Sequence, residues 1–542
     1  MFKINTYAFS NTYKKADFKK WKLENEYHSV YILENGADAY IGETRDVRAR
    51  ALKHTRKHKE QNFSRMHVIT GEIFEGTPAE HYEKILIKLF KVDSKFHVIN
   101  PIKGYRTHYP RKNEFELHFD QLWKQLEEKK LVDTKEFKTI YNASQYKYSP
   151  HTALTEEQHS VLTSIVNVLN SEETAPFSAA YSRRPILING SAGTGKTVIA
   201  TSLFHYLRNN EPYKNKKIAL VYANAQMRNI IKDVFQKTGE GLRKSDVISP
   251  IDITKQKYDI IICDEVQSLR RKENLFFYSK NFKMGNERLG LDHTHDELDW
   301  IFKHAEHQVL FYDEKQCVKH SDIRTDSVKQ RIHHNAYKGS RPIELKNQMR
   351  IMAGGGYIPY IYDILRQKAE KMEAFEGYDF KLFQSFSAMR NVISQKDDEI
   401  GLSKLCGGYA WKWVSKNDET LTDIVIEGID LRWNRDKTCW IGNIDSKHEM
   451  GSIYTLRGVD LSYAGVVIGP DLYFDKNENR MKVNRRSLYA DKDVKEGTSE
   501  EELLEYVLNT YAVLLTRAIK GTYVYVCDEA LRDYFASYIE LK

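Results

Sequence analysis

Residues 190–197 read Gly190-Ser-Ala-Gly-Thr-Gly195-Lys196-Thr197 and match the pattern GxxxxGK followed by Ser or Thr. The stretch follows an apolar run, Pro185–Ile188, and opens into a helical pattern, Val198–Leu207. Glycines in such a loop let backbone N–H groups converge on phosphate oxygens, and the following helix adds the positive end of its dipole. Lys196 would neutralise the β- and γ-phosphates, and the Thr197 hydroxyl would bind Mg²⁺. The spacing therefore predicts a site for ATP and Mg²⁺ formed by Gly190, Gly193, Gly195, Lys196 and Thr197.

A second apolar stretch, Asp259–Cys263, ends in two adjacent carboxylates, Asp264 and Glu265. The carboxyl ends of parallel strands meet at one edge of a sheet, so this pair is expected beside the phosphate loop. There Asp264 would hold Mg²⁺ through water, and Glu265 would polarise the water that attacks the γ-phosphate. The loop and the carboxylate pair together predict nucleotide hydrolysis.

Apolar stretches alternate with amphipathic helical patterns from Leu154 onward, which predicts parallel sheets with helices on both faces. The apolar stretches are continuous rather than alternating, as expected for strands that are buried on both sides. Two further stretches, Ala464–Ile468 and Thr522–Val526, predict a second sheet of this kind nearer the C-terminus. The fold class expected for the chain is therefore α/β.

The composition excludes several classes of protein. Of the 542 residues, 41% are hydrophobic and 29% charged, which is typical of a folded chain and not of a disordered one. No run of about 18 apolar residues is present, so no membrane partner is expected. The polar start lacks the apolar core of a secretion signal, and we expect a cytoplasmic protein. The five cysteines lie far apart, without the spacing of a disulfide framework or a zinc site: Cys263, Cys317, Cys406, Cys439 and Cys527.

The net charge of +8 lies entirely in the first quarter of the chain. Residues 1–150 carry 28 Lys and Arg against 20 Asp and Glu, whereas residues 151–542 carry 55 of each kind. Such an excess is expected where nucleic acid binds, although a lysine-rich solvated surface would have the same composition.

The chain from about Leu154 to the C-terminus resembles a superfamily-one helicase core of the Schlafen type, in which two RecA-like lobes enclose ATP. The resemblance rests on five further motifs: Leu154–Gln158, Leu310–Gln316, Leu345–Arg350, Tyr454–Asp460 and Leu515–Gly521. It implies that Gln158 reads adenine and that Gln316 senses the γ-phosphate. Arg350 and Arg517 would reach the γ-phosphate from the second lobe and stabilise transition-state charge, so that hydrolysis depends on lobe closure.

The motif Tyr454–Asp460 resembles the one that couples ATP to nucleic acid in this family, but it departs at two positions. Arg457 stands where the family more often has glutamine, and Asp460 where it more often has glutamate. Both departures would alter contacts between the ATP site and a bound strand. Duplex unwinding, single-strand translocation and ATP-gated clamping all fit these residues.

Residues 29–100 are predicted to form a compact α/β unit. Strands Ser29–Leu33 and Ala39–Gly42 form a hairpin, a basic helix covers Val47–His58, and a strand lies near His67–Phe74. A second helix begins after Pro78. A connecting helix over Glu114–Lys130 and a linker over Asn142–Pro150 are expected to follow.

This unit resembles the GIY-YIG nuclease family. Ser29-Val-Tyr31 stands in the GIY position, without its glycine, and Tyr40-Ile-Gly42 stands in the YIG position. The two tyrosines are nine residues apart, which is slightly close for the family. The other residues that match the family are Arg50, His54, Glu83 and Asn100. Arg50 and His54 lie one helical turn apart and therefore on one face of the basic helix.

The resemblance implies hydrolysis of a phosphodiester bond. Tyr31 and Tyr40 would orient and deprotonate the attacking water, with Tyr31 as general base. Arg50 would neutralise the scissile phosphate, and one Mg²⁺ held by Glu83 would stabilise the departing oxygen. His54 would either assist the base or hold the phosphate. Basic residues on and around the helix would form a cradle for the nucleic-acid backbone: Arg45, Arg48, Lys53, Arg56, Lys57 and Lys59.

These resemblances divide the chain into a GIY-YIG nuclease-like domain (1–105), a connecting helix and linker (106–150), and two RecA-like lobes (151–340 and 341–542). The leading hypothesis is an ATP-dependent endonuclease that acts on nucleic acid. DNA is favoured over RNA because GIY-YIG enzymes mostly cut DNA, and defence against phage is the setting that this pairing implies in bacteria. Two alternatives are an ATP-switched nucleic-acid sensor whose nuclease-like unit only binds, and an RNA-directed nuclease.

Overall fold

The computed structural model describes residues 2–23, 28–72, 74, 77–100, 118–134, 147–150, 152, 154–173, 185–271, 279–318, 321–335, 342–348, 350–416, 418, 420–434, 440, 444–456, 459–489 and 498–542. The chain divides into two compact units, residues 1–159 and residues 160–542. Cys439 and residues 142–146 of the expected linker lie outside the described ranges.

The first unit is built on a five-stranded sheet. Its strands are β1 Lys3–Ala8, β2 Ser29–Glu34, β3 Asp38–Thr44, β4 Arg65–Thr70 and β5 His97–Val98. Their order is β1-β4-β2-β3-β5, and all pairs are antiparallel except the parallel pair β3–β5. The helices are α1 Lys15–Lys19, α2 Val47–Lys57, α3 Thr77–Asp93 and α4 Phe119–Glu128, and α5 Glu156–Glu173 begins in this unit.

Side chains alternate between the two faces of this sheet, and each face has its own apolar core. Val30 and Ile32 lie on one face, where they pack in a cluster with side chains of α3 and α4. Tyr31, Leu33 and Tyr40 lie on the other face, in a cluster with side chains of α1 and α2. The two tyrosines of the GIY and YIG positions therefore face the basic helix α2.

Most elements of the first unit occur where the sequence predicts them. The hairpin is β2–β3, the basic helix is α2, and the helix expected after Pro78 is α3, which begins one residue before this proline. The connecting helix is α4, and residues 114–117 of its expected range lie outside the described residues. The strand expected near His67–Phe74 begins and ends slightly earlier, as β4. β1 and α1 were not predicted, because β1 pairs on one side only and its side chains are mostly half-exposed or exposed.

The second unit contains two sheets, of which the first has six strands: β6 Ile186–Gly190, β7 Ile218–Tyr222, β8 Val247–Ile248, β9 Tyr258–Asp264, β10 Ala305–Tyr312 and β11 Ile343–Leu345. Every pair is parallel, in the order β11-β6-β10-β9-β7-β8. The helices of this part are α6 Lys196–Asn209, α7 Ala225–Thr238, α8 Pro250–Ile253, α9 Ser279–Leu289, α10 Glu297–His304 and α11 Thr325–Asn335, with 3-10 turns at Lys244–Asp246 and Val266–Ser268. This α/β arrangement is a RecA-like parallel-sheet core, and its neighbours β6, β10 and β9 end at one edge.

The second sheet has eight strands: β12 Asp379–Leu382, β13 Ser403–Gly407, β14 Ile424–Ile426, β15 Ile429–Trp433, β16 Glu449–Ser452, β17 Leu461–Ile468, β20 Ala518–Val526 and β21 Glu540–Leu541. Their order is β14-β15-β16-β13-β17-β20-β12-β21, and only β14–β15 is antiparallel; β18 Leu472–Asp475 and β19 Arg480–Val483 form a separate hairpin. The helices are α12 Tyr357–Leu365, α13 Phe386–Ile400, α14 Ile453–Leu456, α15 Glu500–Leu515 and α16 Glu529–Ala536, with a 3-10 turn at Ile444–His448. Across the described ranges, no helix has both the length and the apolar composition needed to cross a bilayer.

Asn100 continues the pairing of β3 beyond the short strand β5. Its side-chain Oδ1 accepts the backbone N–H of Ile41 at 2.8 Å, and its Nδ2 donates to the Ile41 carbonyl at 2.6 Å. Asn100→Ala leaves both buried backbone groups without these partners, so we expect it to lower the free energy of unfolding of the first unit by about 2 kcal/mol. Urea unfolding of the full chain measures this difference.

Asn5→Ala, on the outer strand β1, is the matched control and should change the free energy of unfolding by less than about 0.5 kcal/mol. Equal unfolding midpoints for the Asn100 and Asn5 variants would contradict the assigned role of the Asn100 side chain.

Candidate active sites

The phosphate loop follows β6 and ends at the first turn of α6. Gly195 caps α6 with a left-handed backbone (φ 86°), and Lys196 is the first residue of the helix. The buried ammonium of Lys196 donates to the carbonyl oxygens of Gly190 at 2.6 Å and of Ser191 at 3.1 Å. It also lies 3.4 Å from Oδ2 of Asp313, which follows β10. The Lys196 charge is thus held at the edge where the parallel strands end.

Thr197 and Asp264 lie next to each other at this edge. The Thr197 hydroxyl donates to Oδ2 of Asp264 at 2.6 Å, and the Asp264 carboxylate is fully buried at the end of β9. Burial, together with the neighbouring charge of Glu265, raises the pKa of Asp264 to about 6. Glu265 has a left-handed backbone (φ 56°), and its carboxylate accepts a hydrogen bond from Nε2 of Gln267. The structure therefore brings Thr197, Asp264 and Glu265 together, as the sequence predicts.

Arg350, from the segment before α12, lies against the phosphate loop. Gly193 has φ of 81°, and a Cβ at this position would lie 2.9 Å from Cβ and 3.4 Å from Nε of Arg350. The guanidinium donates to Oδ1 of Asp460 at 2.7 Å and to the Thr516 carbonyl at 2.8 Å. Nε of Arg350 is buried without a hydrogen-bond partner among the described residues. A glycine at 193 is required here because any side chain would collide with the arginine.

Arg517 reaches the same edge through Gln316. The buried Arg517 guanidinium donates to Oε1 of Gln316 at 2.8 Å, and Nε2 of Gln316 donates to Oδ2 of Asp313 at 2.7 Å. Because Asp313 also faces the ammonium of Lys196, a continuous series of polar contacts joins the phosphate loop to an arginine that follows α15. We call Lys196, Asp313, Gln316 and Arg517 the bonded series.

These groups fit a nucleotide with Mg²⁺. The hydroxyl of Thr197 and the carboxylate of Asp264 are hard oxygen donors of the kind that Mg²⁺ prefers. The unpaired Nε of Arg350 is a buried donor beside a loop whose own N–H groups suit phosphate.

Two residues that the sequence did not reveal hold the segment after β10 to the second sheet and its helices. Tyr362 of α12 donates its hydroxyl to the Lys315 carbonyl at 2.9 Å, and Nδ2 of Asn509 on α15 donates to the Cys317 carbonyl at 3.2 Å. Val318 packs in the apolar cluster of α12 and α15. No motif marks Tyr362 or Asn509, since both act through backbone carbonyls of another segment.

The residues expected to read adenine and to couple ATP to nucleic acid have other contacts or lie outside the described ranges. Gln158 lies in the first turn of α5, where its Oε1 accepts the backbone N–H of Thr155 at 3.0 Å, so the expected contact with adenine stays a prediction. Arg457 and Gly458 of the coupling motif lie outside the described residues. Asp460 of that motif holds Arg350 instead.

In the first unit, Tyr31, Arg50 and His54 are joined by hydrogen bonds. Nε of Arg50 donates to the Tyr31 hydroxyl oxygen at 2.8 Å, and Nε2 of His54 lies 2.8 Å from the same oxygen. Burial lowers the pKa of His54 to about 3, and burial raises the pKa of Tyr31 far above its usual value. His54 is therefore neutral and shares a hydrogen bond with the Tyr31 hydroxyl through Nε2, and its buried Nδ1 has no partner among the described residues.

Tyr40 and Glu83 lie within electrostatic range of this group. The Tyr40 ring is 6.3 Å from that of Tyr31 and 4.9 Å from that of His54. Burial raises the pKa of Glu83 to about 7, and the charge of Glu43 adds to this shift. Burial raises the pKa of Tyr40, and the charge of Glu83 adds a smaller upward shift to both tyrosines. All five predicted residues of this site thus form one cluster in the first unit.

The sequence missed two neighbours of this cluster. Glu43 follows Gly42 on β3, and its Oε2 lies 2.7 Å from Nε2 of His28. The ring of His58 is 5.1 Å from that of His54 and 4.9 Å from that of Tyr40. The spacing of four residues from His54 places His58 on the same face of α2 and was the signal that could have found it.

Gly42 stands opposite Tyr31 in the antiparallel pair β2–β3. A Cβ at position 42 would lie 2.2 Å from the Tyr31 hydroxyl oxygen. The tyrosine side chain therefore crosses directly over Gly42. A side chain at position 42 would collide with it, which explains why glycine occupies this position.

Comparison with known proteins concerns mainly the second unit. The family described as Schlafen group 3, DNA/RNA helicase domain, matches residues 183–528, and so covers the phosphate loop and both arginines but not the first unit. The uncharacterized protein YPL245W of Saccharomyces cerevisiae is 24% identical over 424 residues, which are 70% of this chain and 90% of the yeast protein.

Solved helicase structures resemble the chain only loosely. Pif1 helicase from Candida albicans is 12% identical with a TM-score of 0.29, over 71% of this chain and 97% of its own. The arterivirus nonstructural protein 10 helicase is 11% identical with a TM-score of 0.29, over 65% of this chain and 62% of its own. A Bacteroides Pif1 helicase in complex with ADP-AlF3 and ssDNA is 9% identical with a TM-score of 0.26, over 68% of this chain and 92% of its own. With TM-scores this low, no residue of these helicases is matched to a residue of this chain.

Gln316→Ala removes both the acceptor for Arg517 and the donor to Asp313. We expect ATP turnover to fall by about 10- to 100-fold, because an unheld arginine stabilises transition-state charge poorly. The KM for ATP should change much less, since the phosphate loop is untouched. Steady-state ATP hydrolysis measures both constants.

Lys315→Ala, at the position next to Gln316, is the matched control. The Lys315 side chain is exposed, and the backbone carbonyl of residue 315 still accepts the hydrogen bond from Tyr362 after the substitution. ATP turnover within twofold of the unsubstituted chain for Gln316→Ala would show that the bonded series does not serve hydrolysis.

Gly42→Ala places a methyl group where the Tyr31 hydroxyl lies and should displace that side chain from Arg50 and His54. We expect loss of any phosphodiester cleavage by about 100-fold, since a small misplacement of a reacting group has effects of this size. A cleavage assay with Mg²⁺ gives the result, and ATP hydrolysis should stay unchanged.

The control is Gly36→Asn, at the tip of the same hairpin, where a Cβ meets nothing within 4 Å and asparagine tolerates the positive φ. Equal cleavage by the two variants would disprove the steric role of Gly42.

Proposed function

We propose that this chain, which belongs to the Schlafen group 3 DNA/RNA helicase-domain family, is an ATP-hydrolysing motor on nucleic acid that carries a metal-dependent endonuclease unit. The observation that carries the motor proposal is the bonded series, which links the phosphate-loop lysine to an arginine of the segment between α15 and β20. An arginine supplied across the nucleotide site is the arrangement through which hydrolysis depends on lobe position.

ATP with Mg²⁺ would supply the phosphoanhydride bond whose hydrolysis drives the motor. Lys196 would exchange the carbonyls of Gly190 and Ser191 for phosphate oxygens, which are stronger partners for an ammonium group. Thr197 and Asp264 would hold Mg²⁺, and Glu265 would orient the attacking water. Each of these roles uses a side chain that already lies at the edge where β6 and β9 end.

The two arginines would report lobe position to the nucleotide site. Arg350 and Arg517 are linked through Thr516, whose carbonyl accepts from Arg350 and which directly precedes Arg517. A shift of this segment would therefore move both arginines together. Repeated closure and opening would drive translocation on a strand or clamping around it.

For the first unit we propose cleavage of a phosphodiester bond. Tyr31 would act as general base, and the geometry favours His54 as its assistant, because Nε2 of His54 lies within hydrogen-bond distance of the Tyr31 hydroxyl. Arg50 would neutralise the scissile phosphate while it orients Tyr31, and Tyr40 would help to place the water. Mg²⁺ held by Glu83 would supply charge to stabilise the leaving oxygen. DNA is the favoured substrate by resemblance to GIY-YIG enzymes, and defence against phage is the favoured setting by resemblance to bacterial chains that pair such a unit with a motor.

A second candidate function is an ATP-switched sensor whose first unit binds nucleic acid without cutting it. The observation that favours it is the complete burial of Tyr31, which raises the pKa of the hydroxyl and keeps it protonated, so that it cannot take a proton from water. Cleavage by the first unit would then require Tyr31 to become accessible.

A pair of substitutions separates the functions. Glu83→Gln should abolish cleavage by at least about 100-fold while nucleic-acid-stimulated ATP hydrolysis survives, because the two sites use different residues. Lys196→Ala should abolish ATP hydrolysis, since the phosphate charge loses its counter-ion. Both are measured on DNA and RNA of one sequence with Mg²⁺, with and without ATP.

Glu80→Gln, one turn earlier on α3 and paired with Lys84, controls for charge on that helix. Lys214→Ala, an exposed lysine paired with Glu211, controls for loss of a lysine. Absence of cleavage in the unsubstituted chain, with nucleic-acid binding retained, would establish the sensor; ATP hydrolysis by Lys196→Ala would refute the nucleotide site.

A further inference from the structure

The helix α2 presents three different surfaces around its axis. Val47, Ala51 and His54 are buried against the sheet. At about 100° per residue, Arg50 and Arg48 fall on opposite flanks of this buried face, about 160° apart. Arg50 marks the flank of the candidate cleavage site. The exposed arc between the two flanks carries three exposed basic residues, Lys53, Arg56 and Lys57, together with the small side chain of Ala49 and the partly buried Leu52.

The N-terminal segment lies along the flank of Arg48. Nε of Arg48 donates to the Phe18 carbonyl at 3.2 Å, and its NH2 group donates to the Trp21 carbonyl at 2.8 Å. At the other end of α2, Nδ2 of Asn11 donates to the Lys59 carbonyl at 3.0 Å. The sequence predicts that Arg48 contacts the nucleic-acid backbone. In the structure its guanidinium instead binds backbone carbonyls of the α1 segment and so fixes α1 to α2.

The segment around α1 adds a second group of cations to this surface. Its five lysines are all exposed: Lys14, Lys15, Lys19, Lys20 and Lys22. The single acidic residue between positions 14 and 22 is Asp17, whose carboxylate accepts the backbone N–H of Lys14 at 2.8 Å. Among the ion pairs of the described residues, none includes these five lysines or the three basic residues on the arc of α2. No acidic side chain among the described residues therefore neutralises these charges by an ion pair.

We infer that these eight residues form one nucleic-acid-binding surface, a basic belt that runs from the cleavage site around α2 to α1. The belt consists of Lys53, Arg56 and Lys57 with the five lysines of the α1 segment. It would hold the phosphate backbone of a duplex beside the bond that is cut. The inference rests on the proposed function only for the identity of the cleavage site; the binding surface stands on its own contacts and charges.

The chemistry of the belt favours a duplex over an anionic membrane. Membrane-surface segments combine basic residues with exposed apolar side chains that enter the lipid. Among the described residues, the exposed large apolar side chains all lie in the second unit: Met352, Met372, Leu421, Val425, Tyr489 and Leu541. A row of exposed lysines without exposed apolar side chains suits the repeating phosphates of a nucleic-acid backbone.

The test compares two triple variants of the full chain. The belt variant is Lys15→Gln with Lys19→Gln and Lys20→Gln. The control is Lys124→Gln with Lys129→Gln and Lys130→Gln, three exposed lysines on and beside α4, which packs on the opposite face of the sheet. Fluorescence anisotropy with a labelled 30-base-pair DNA, without Mg²⁺, gives the dissociation constant between 50 and 200 mM KCl.

Each lost phosphate contact reduces the slope of log affinity against log salt by about 0.9. The unsubstituted chain and the control should therefore lose about 40-fold more affinity over this salt range than the belt variant. A thermal unfolding midpoint equal to that of the unsubstituted chain shows that each variant is folded. A belt variant with an unchanged slope overturns the proposal.

A second arm uses vesicles that contain 30% phosphatidylserine. Loss of vesicle binding in the belt variant, with an unchanged slope on DNA, would identify a membrane surface and overturn the nucleic-acid belt. The nuclease proposal is tested separately, by a cleavage assay on the unsubstituted chain. A reduced slope without any cleavage would leave the belt as a binding surface and remove only the nuclease.

Discussion

The ammonium group of Lys196 is buried, and the way in which its charge is satisfied organises the second unit. Removing an unpaired ammonium from water is unfavourable by several kcal/mol, so a buried lysine needs acceptors with good geometry. Two loop carbonyls and Asp313 provide them. Asp313 takes a further hydrogen bond from Gln316, which accepts from Arg517. The electrostatics of the phosphate loop therefore depend on a residue that follows α15.

The first unit satisfies its buried polar groups by a similar principle. The Tyr31 hydroxyl has no water-exposed surface, yet it accepts a hydrogen bond from Arg50 and shares another with Nε2 of His54. Arg50 and His54 come from one face of α2, whereas Tyr31 comes from β2, and Gly42 on β3 leaves the space that the tyrosine occupies. Three elements must be in register for this contact to form. A polar cluster of this kind specifies the geometry of the unit as well as its chemistry.

Local patterns predicted much of this structure, because they act over a few residues. The glycine spacing before Lys196 and the apolar strand before Asp264 depend only on neighbours in sequence, and the structure places both at one edge. Contacts between distant segments could not be predicted in the same way. Tyr362 and Asn509 bind backbone carbonyls of the segment after β10, and a backbone carbonyl carries no sequence signature.

The first unit shows the same limit. Glu43 acts on Glu83 only because β3 and α3 meet in the fold, and no spacing in the sequence joins them. β1 and α1 were missed since an outer strand and a five-residue helix bury too little to impose a clear pattern. Of the two positions that depart from the coupling motif, Asp460 needed the structure, in which it is a partner of Arg350.

The distribution of charge gives the two units different ways to hold a polyanion. Residues 151–542 carry equal numbers of acidic and basic residues, whereas residues 1–150 carry the whole excess of +8. Salt-dependent binding scales with the number of phosphates that cations contact, so it belongs mainly to the first unit. A motor must release its strand at every step, which strong electrostatic binding would oppose. In the proposed function, a second unit with nearly balanced charge would step while the basic first unit keeps the chain on the nucleic acid, so that the substrate would stay at the site proposed to cut it.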